Sequence, residues 1–263
     1  MISGVPVDCG PPEDVVAAID AKAAEGQLCL GYVNTHTAYL LGRDGAYRAL
    51  CRRFMLLNDG VGLDALSLIK YGRGFEFNLN GSDFTPIYLK ATRHRYRVFV
   101  LGGRSGVAER AVAALQQIAP QHTYVGSHRG HLEPHEEAAV VAAINASRAD
   151  LLIVGFGNPE QERWIARHAA DLDARVLVGV GALLDFLAGS VLRAPRWMQR
   201  ARIEWMHRLA LEPRRLWRRY VIFTPLVLLS AVTERARAWT MSLLPAITAG
   251  GWLDPLDALA FIF

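Results

Sequence analysis

The chain has 263 residues, of which 52% are apolar and 21% charged. That balance excludes a disordered chain and fits one large folded domain or two small ones. Cys9, Cys29 and Cys51 are odd in number and lack CxxC spacing, which speaks against a disulfide framework and fits a reducing compartment. The net charge of +4 conceals a local excess. Residues 193–219 carry nine arginines (193, 196, 200, 202, 208, 214, 215, 218, 219) against Glu204 and Glu212, a balance of +7 aimed at something anionic.

The first residues lack a basic region followed by an apolar one, so a cleaved signal peptide is not expected. No uninterrupted run of 18 apolar residues occurs. The longest candidate, Tyr220–Val232, is too short to span a bilayer and suits a buried or interfacial helix.

Up to about residue 190, strand-like and helix-like segments alternate. Strands are expected at Gln27–Val33, Phe54–Asn58, Arg97–Leu101, His122–Val125, Leu151–Gly155 and Arg175–Val180. Helices are expected at Pro12–Glu25, Val61–Tyr71, Asp83–His94, Ser105–Ile118, Pro134–Arg148 and Pro159–Asp171. This alternation predicts an α/β fold, a Rossmann-like, mostly parallel sheet with helices on both faces. Two more helices are expected to follow, one from Pro195 to about Leu211 and one from Pro213 towards Arg237. The stretch 238–263 is apolar and broken by Pro245, Gly250, Gly251 and Pro255. The expected division is therefore a core over 1–192 and a basic, then apolar, helical appendage over 193–263.

Open parallel sheets bind ligands at the carboxyl ends of their strands. The first strand leads to Asn34, which can cap a helix or face a ligand. The second leads to Asp59-Gly60-Val61-Gly62, where Asp59 is either a general base or a helix cap. Ser82 or Asp83 can cap the helix that follows them. Gly102-Gly103-Arg104-Ser105-Gly106 opens a helix whose N–H groups could meet a phosphate. The acid that would hold a dinucleotide ribose is replaced by Ser127 and His128, which argues against NAD. The fifth strand leads to Gly157-Asn158-Pro159-Glu160-Gln161-Glu162, placing Gln161 and Glu162 at the ligand edge. The sixth leads to Gly181–Gly189, including Asp185, which suits packing against a flat ring or against backbone. His122, His128, His131 and His135 lack the helical spacing of a metal site, and Asp171-Leu172-Asp173 precedes a strand instead of following one. No metal and no cofactor is expected.

Seven segments in order resemble the WecG/TagA/CpsF family of bacterial glycosyltransferases over roughly residues 10–235. They are the Asn34 strand end, Asn58–Gly62, Gly81-Ser82-Asp83, Gly155–Glu162, Gly179–Gly189, Arg193–Gln199 and Glu212–Leu216. The resemblance implies inverting, metal-independent transfer from a UDP-sugar to a polyprenyl-diphosphate-linked sugar at the cytoplasmic membrane face, in cell-surface polysaccharide synthesis. It also implies Asp59 as catalytic base, Asn34 and Gln161 in the active site, and Arg208, Arg215 and Arg218 over the donor diphosphate. The family often carries Lys where this chain has Glu160. The other six arginines are expected to face solvent or anionic lipid. Rival readings are an NAD-dependent oxidoreductase and a non-enzymatic, membrane-peripheral nucleotide sensor. Nucleic-acid binding is not expected, because Trp197, Trp205, Leu209 and Trp217 fit helix packing better than base stacking. A homo-oligomer stays open.

Overall fold

A computed structural model describes residues 1–249. Six strands form one all-parallel sheet in the order β2-β1-β6-β5-β3-β4: β1 Leu28–Val33, β2 Phe54–Asn58, β3 Arg97–Gly102, β4 Thr123–His128, β5 Leu151–Gly155 and β6 Val176–Gly179. Every residue of β1, β2 and β6 is buried, as near-continuous apolar runs require when helices cover both faces. The edge strand β4 is only half-buried and carries Thr, Gly, Ser and His.

The helices are α1 Pro12–Glu25, α2 Thr35–Arg43, α3 Gly45–Cys51, α4 Val61–Tyr71, α5 Gly81–Ala91, α6 Val107–Ile118, α7 Glu137–Ala146, α8 Glu160–His168 and α9 Leu183–Leu187. The appendage adds α10 Arg196–Arg200, α11 Glu204–Leu211, α12 Pro213–Trp217, a π-helical turn Arg218–Phe223 and α13 Thr224–Ala249. The period-2 alternation of the strands sorts side chains into two cores. Leu30, Leu57, Val98, Ile153 and Val178 pack under α1, α5, α6 and α9. Val33, Leu56, Phe99, Leu152 and Leu177 pack under α2, α3, α4, α7 and α8.

The second core also takes Val227 and Ala231 of α13, which are 7% and 1% exposed. The appendage is thus packed into the core. The Thr35 and Thr224 hydroxyls lie 2.9 Å apart, and Phe223 stacks on His36 and Tyr39.

Four expectations need correction. The stretch from Pro195 to Leu211 is two helices, because Arg202 takes a left-handed φ of 58° that breaks the run. Helices α2 and α3 fill the stretch after Asn34, for which the sequence offers a helix cap but no helix of its own. Helical backbone continues through Pro245, while Gly250, Gly251 and Pro255 lie outside the described residues. By length and composition alone, the continuous helix Pro213–Arg237 is also long and apolar enough to cross a membrane, which the Tyr220–Val232 run taken alone is not.

Candidate active site

The carboxyl ends of all six strands open into one cleft of about 1600 Å³, roofed by α11, α12 and the π-helical turn. That volume exceeds the usual range for a single small ligand, roughly 300–1000 Å³.

Asp59 stands where β2 ends, its backbone N–H still paired with Val33 at 2.8 Å. Helix α4 is capped by Gly60 and has no side-chain cap, so the Asp59 carboxyl is left for the cleft. Gly60 holds φ +86°, a left-handed turn suited to glycine. Burial raises the Asp59 pKa above the ordinary carboxylate range, against the opposing pull of Arg219, Asn34 and Arg208. Asn34 both caps and faces the site. Its Oδ1 accepts from the N–H groups of His36 and Thr37, each at 3.1 Å, and its Nδ2 donates to Asp59 Oδ2 at 3.3 Å.

The loop after β5 is built from amides. Gln161 is 1% exposed. Its Oε1 accepts from the N–H groups of Gly157 (3.2 Å) and Gly181 (2.9 Å), which ties the ends of β5 and β6 together on the cleft floor. A Cβ at Gly179 would meet the Gln161 side chain at 2.9 Å, so only glycine leaves room for it. Glu162 is also 1% exposed and points into the protein, away from the ligand edge where the sequence placed it. Gly157 lies open in the cleft with φ +83°.

The glycine loop after β3 divides its work. Gly102 is a packing position: a Cβ there would meet Gly155 O at 2.7 Å and the Leu184 side chain at 2.7 Å. Its neighbours Gly103, Arg104 and Ser105 line the cleft instead. Asp185 lines the cleft too. Burial raises its pKa, and Arg215 opposes that shift most strongly. Asn80, in place of Ser82 or Asp83, caps α5 through its Oδ1 to Asp83 N at 3.1 Å. His122 is a packing residue whose ring nitrogens meet Tyr96 N at 3.1 Å and Leu89 O at 2.7 Å.

The arginines separate by side. Arg208 and Arg215 line the cleft, with Arg208 over the Phe186 ring at 5.5 Å and Arg215 paired with Glu212. Arg218 is exposed at the rim and sits over Trp217 at 5.5 Å. Arg219, expected to face solvent or lipid, instead lines the cleft. It is the charge that most opposes the burial shift of Asp59, and desolvation lowers its own pKa. Arg193 is half-buried against Asp83 at 2.5 Å, and Arg202 stays exposed while pairing with Asp64 at 2.9 Å. Arg196, Arg200 and Arg214 are exposed. Sequence reading gave no individual role to Arg219, Phe186 or Asn158. Phe186 carried a signal in the Gly181–Gly189 stretch and Asn158 in its place beside Gly157 and Pro159, whereas Arg219 carried none.

A cleft with a carboxylate facing guanidinium groups suits transfer chemistry on an anionic donor. The family model for "Glycosyl transferase WecG/TagA/CpsF family" matches residues 1–240. The chain belongs to this family. It is accordingly a glycosyltransferase. It is 31% identical over 191 residues to the N-acetylglucosaminyldiphosphoundecaprenol N-acetyl-beta-D-mannosaminyltransferases of Staphylococcus aureus strains MRSA252 and NCTC 8325 / PS 47. The match covers 72% of this chain and 71% of each relative. Membership in the WecG/TagA/CpsF family removes the ground for the NAD-dependent and sensor readings.

Proposed function

We propose that this chain transfers a sugar from a UDP-sugar to a polyprenyl-diphosphate-linked sugar, with inversion and without a metal, during synthesis of a cell-surface polysaccharide. The observation that carries the reading is the position of Asp59 across one cleft from Arg208, Arg215 and Arg219. Asp59 takes the proton of an acceptor hydroxyl as that oxygen bonds to the anomeric carbon. The bond from that carbon to the UDP oxygen breaks, and its electron pair leaves with UDP. The guanidinium groups meet the charge that develops there, commonly the largest catalytic contribution. One base and one displacement give inversion. The names of the staphylococcal relatives support a lipid-diphosphate acceptor and an N-acetylhexosamine donor.

In this reading residues 1–192 carry the base, and 193–263 complete the site from above. Val221 of the π-helical turn and Leu226, Leu229 and Val232 of α13 are exposed and follow exposed Arg214 and Arg218 along one continuous helix, a pattern that favours interfacial docking on anionic lipid. The site would then work peripherally, on the cytoplasmic face where the lipid-linked acceptor is presented. The test is a transfer assay with UDP-N-acetylmannosamine, UDP-glucose or UDP-N-acetylmannosaminuronic acid, and undecaprenyl-diphosphate-N-acetylglucosamine in anionic vesicles. Transfer is expected with one donor in the presence of EDTA and is lost in Asp59→Asn. No transfer with any donor, or transfer only with added divalent cation, overturns the corresponding part.

A further inference from the structure

The Glu162 carboxylate is closed inside the protein, yet its side-chain partners are all neutral donors. Asn158 Nδ2 donates to Oε1 at 2.6 Å, Gln161 Nε2 to Oε1 at 2.8 Å, and the Tyr47 hydroxyl to Oε2 at 3.2 Å. Burying a carboxylate among neutral groups is costly, and a neutral side chain would fill the same volume. Burial pushes the Glu162 pKa up to about 7, and above that pH the side chain is a carboxylate, which offers acceptance without donation. It obliges both neighbouring amides to turn their nitrogens inward and their oxygens outward. The Gln161 oxygen then faces Gly157 N and Gly181 N, and the Asn158 oxygen faces Asn34 Nδ2 at 3.5 Å. Asn34 cannot turn to suit a reversed Asn158, because its own oxygen caps α2. One further step reaches Asp59 Oδ2.

We infer that Glu162 is a positioning residue for the reaction: through Asn158 it fixes the direction in which Asn34 presents its donor to Asp59. Tyr47, on α3 and 1% exposed, holds the far oxygen of Glu162 and belongs to the same chain of contacts. The catalytic part of this inference rests on the reading of Asp59 as the base. The structural part does not.

The test uses the full chain and two readouts. The first is the carboxyl titration of Asp59, followed by 13C NMR and assigned by its disappearance in Asp59→Asn. The other charges acting on Asp59 (Arg219, Arg208 and Asp83) are untouched by the variants, and the titratable groups beside Glu162 are Tyr47 and Cys51. In Glu162→Gln a donor at position 162 lets Asn158 reverse at every pH, whereas in the parent this awaits protonation of Glu162 below about pH 7, so the Asp59 titration is expected to move to higher pH and to lose its coupling to Glu162. Asn158→Ala should move it the same way, and the double variant should move it no further, as for residues acting in series. An unmoved Asp59 titration in folded Glu162→Gln, or additive shifts, overturns the inference. Tyr47→Phe removes a single donor and gives a smaller shift in the same direction, which keeps the test open if Glu162→Gln does not fold. The second readout is transfer from the donor found active above. For Glu162→Gln, kcat should fall about tenfold to hundredfold while the donor KM stays within about twofold, the pattern of lost alignment. A rise in KM alone overturns the positioning role. Should Asp59→Asn retain transfer, the base assignment fails, and the titration still decides the coupling by itself.

Discussion

The carboxamide of Asn34 stands 3.3 Å from the carboxylate of Asp59, with its other end locked as the cap of α2. One side chain therefore fixes both the start of a helix and the bearing of the proposed base. Asn34→Ser separates the two. Serine caps about as well as asparagine, so the thermal midpoint should move by less than about 2 °C. The hydrogen bond to the carboxylate is lost, worth about 1.5–3 kcal/mol, so kcat should fall roughly tenfold to hundredfold. A Ser variant with unchanged kcat would show that the Asp59 contact is idle.

Burial raises the Asp59 pKa, so the base loses its charge at a higher pH than an ordinary carboxylate. Activity should fall as pH drops through that raised value. The stability sign is opposite. Between the ordinary and the raised value, the folded chain binds more protons than the unfolded one, so stability falls as pH rises through that window. Asp59→Asn should lower kcat by about 10²- to 10⁴-fold and unfold no earlier than the parent at pH 8. Calorimetry at pH 5 and pH 8 alongside a transfer assay checks both halves.

Arg219 is the strongest opposing charge on Asp59. Arg219→Ala should move the acid limb of kcat/KM to higher pH and raise the KM for donor. Arg219→Lys should hold the limb closer to its original place, while still losing the planar guanidinium contact with a diphosphate. An Ala variant whose pH profile superposes on that of the parent would remove Arg219 from the site.

Arg193 ties the start of the appendage to Asp83 at 2.5 Å and sits 5.9 Å from the Phe186 ring centre. Both partners are partly exposed, so the pair should contribute less than about 1 kcal/mol to stability. Its value lies in placement. Arg193→Glu should reduce transfer, and Asp83→Arg added to it should restore part of the loss. A double variant no better than the worse single one argues against pairing.

Residues 193–263 are expected to matter for the stability of 1–192, because Val227 and Ala231 pack into the core and α13 lies against α4 and α2. Truncation after residue 192 should lower the thermal midpoint by several degrees and increase binding of an apolar dye, at roughly 1.5–3 kcal/mol for a lost buried valine alone. An unchanged midpoint would restore the simpler two-part view.

Legibility followed local physics. Strands β2 and β5 were placed to the residue because continuous apolar runs of four, each closed by a small or polar residue, admit little else in this alternation. Asp59 was legible because its neighbours are glycines at a strand end. The cap at Asn34 was legible as one of two readings, but the extents of α2 and α3 were not, since 9 and 7 residues are short for a periodic signal. The break at Arg202 had no glycine to announce it. Arg219 was missed for a geometric reason. The resemblance marks Arg208, Arg215 and Arg218, and a regular 3.6 residues per turn gives no reason to add 219. Pro213 and the wider π-helical turn at Arg218–Phe223 shift that phase, bringing 219 inward and sending 218 to the rim. Glu162 was found by position but given the wrong direction, because a side chain one residue beyond Gln161 on a helix points about 100° away from it.

The order of the sheet also sets a schedule. Strand β6 lies between β1 and β5, so the last strand made is the one that joins the β2-β1 pair to the β5-β3-β4 trio. Until Val176–Gly179 leaves the ribosome, strands β1 and β5 lack their native partner along one edge, and such an edge is a template for wrong pairing. Such a chain should lean on chaperones late in synthesis, with its productive collapse awaiting a four-residue keystone.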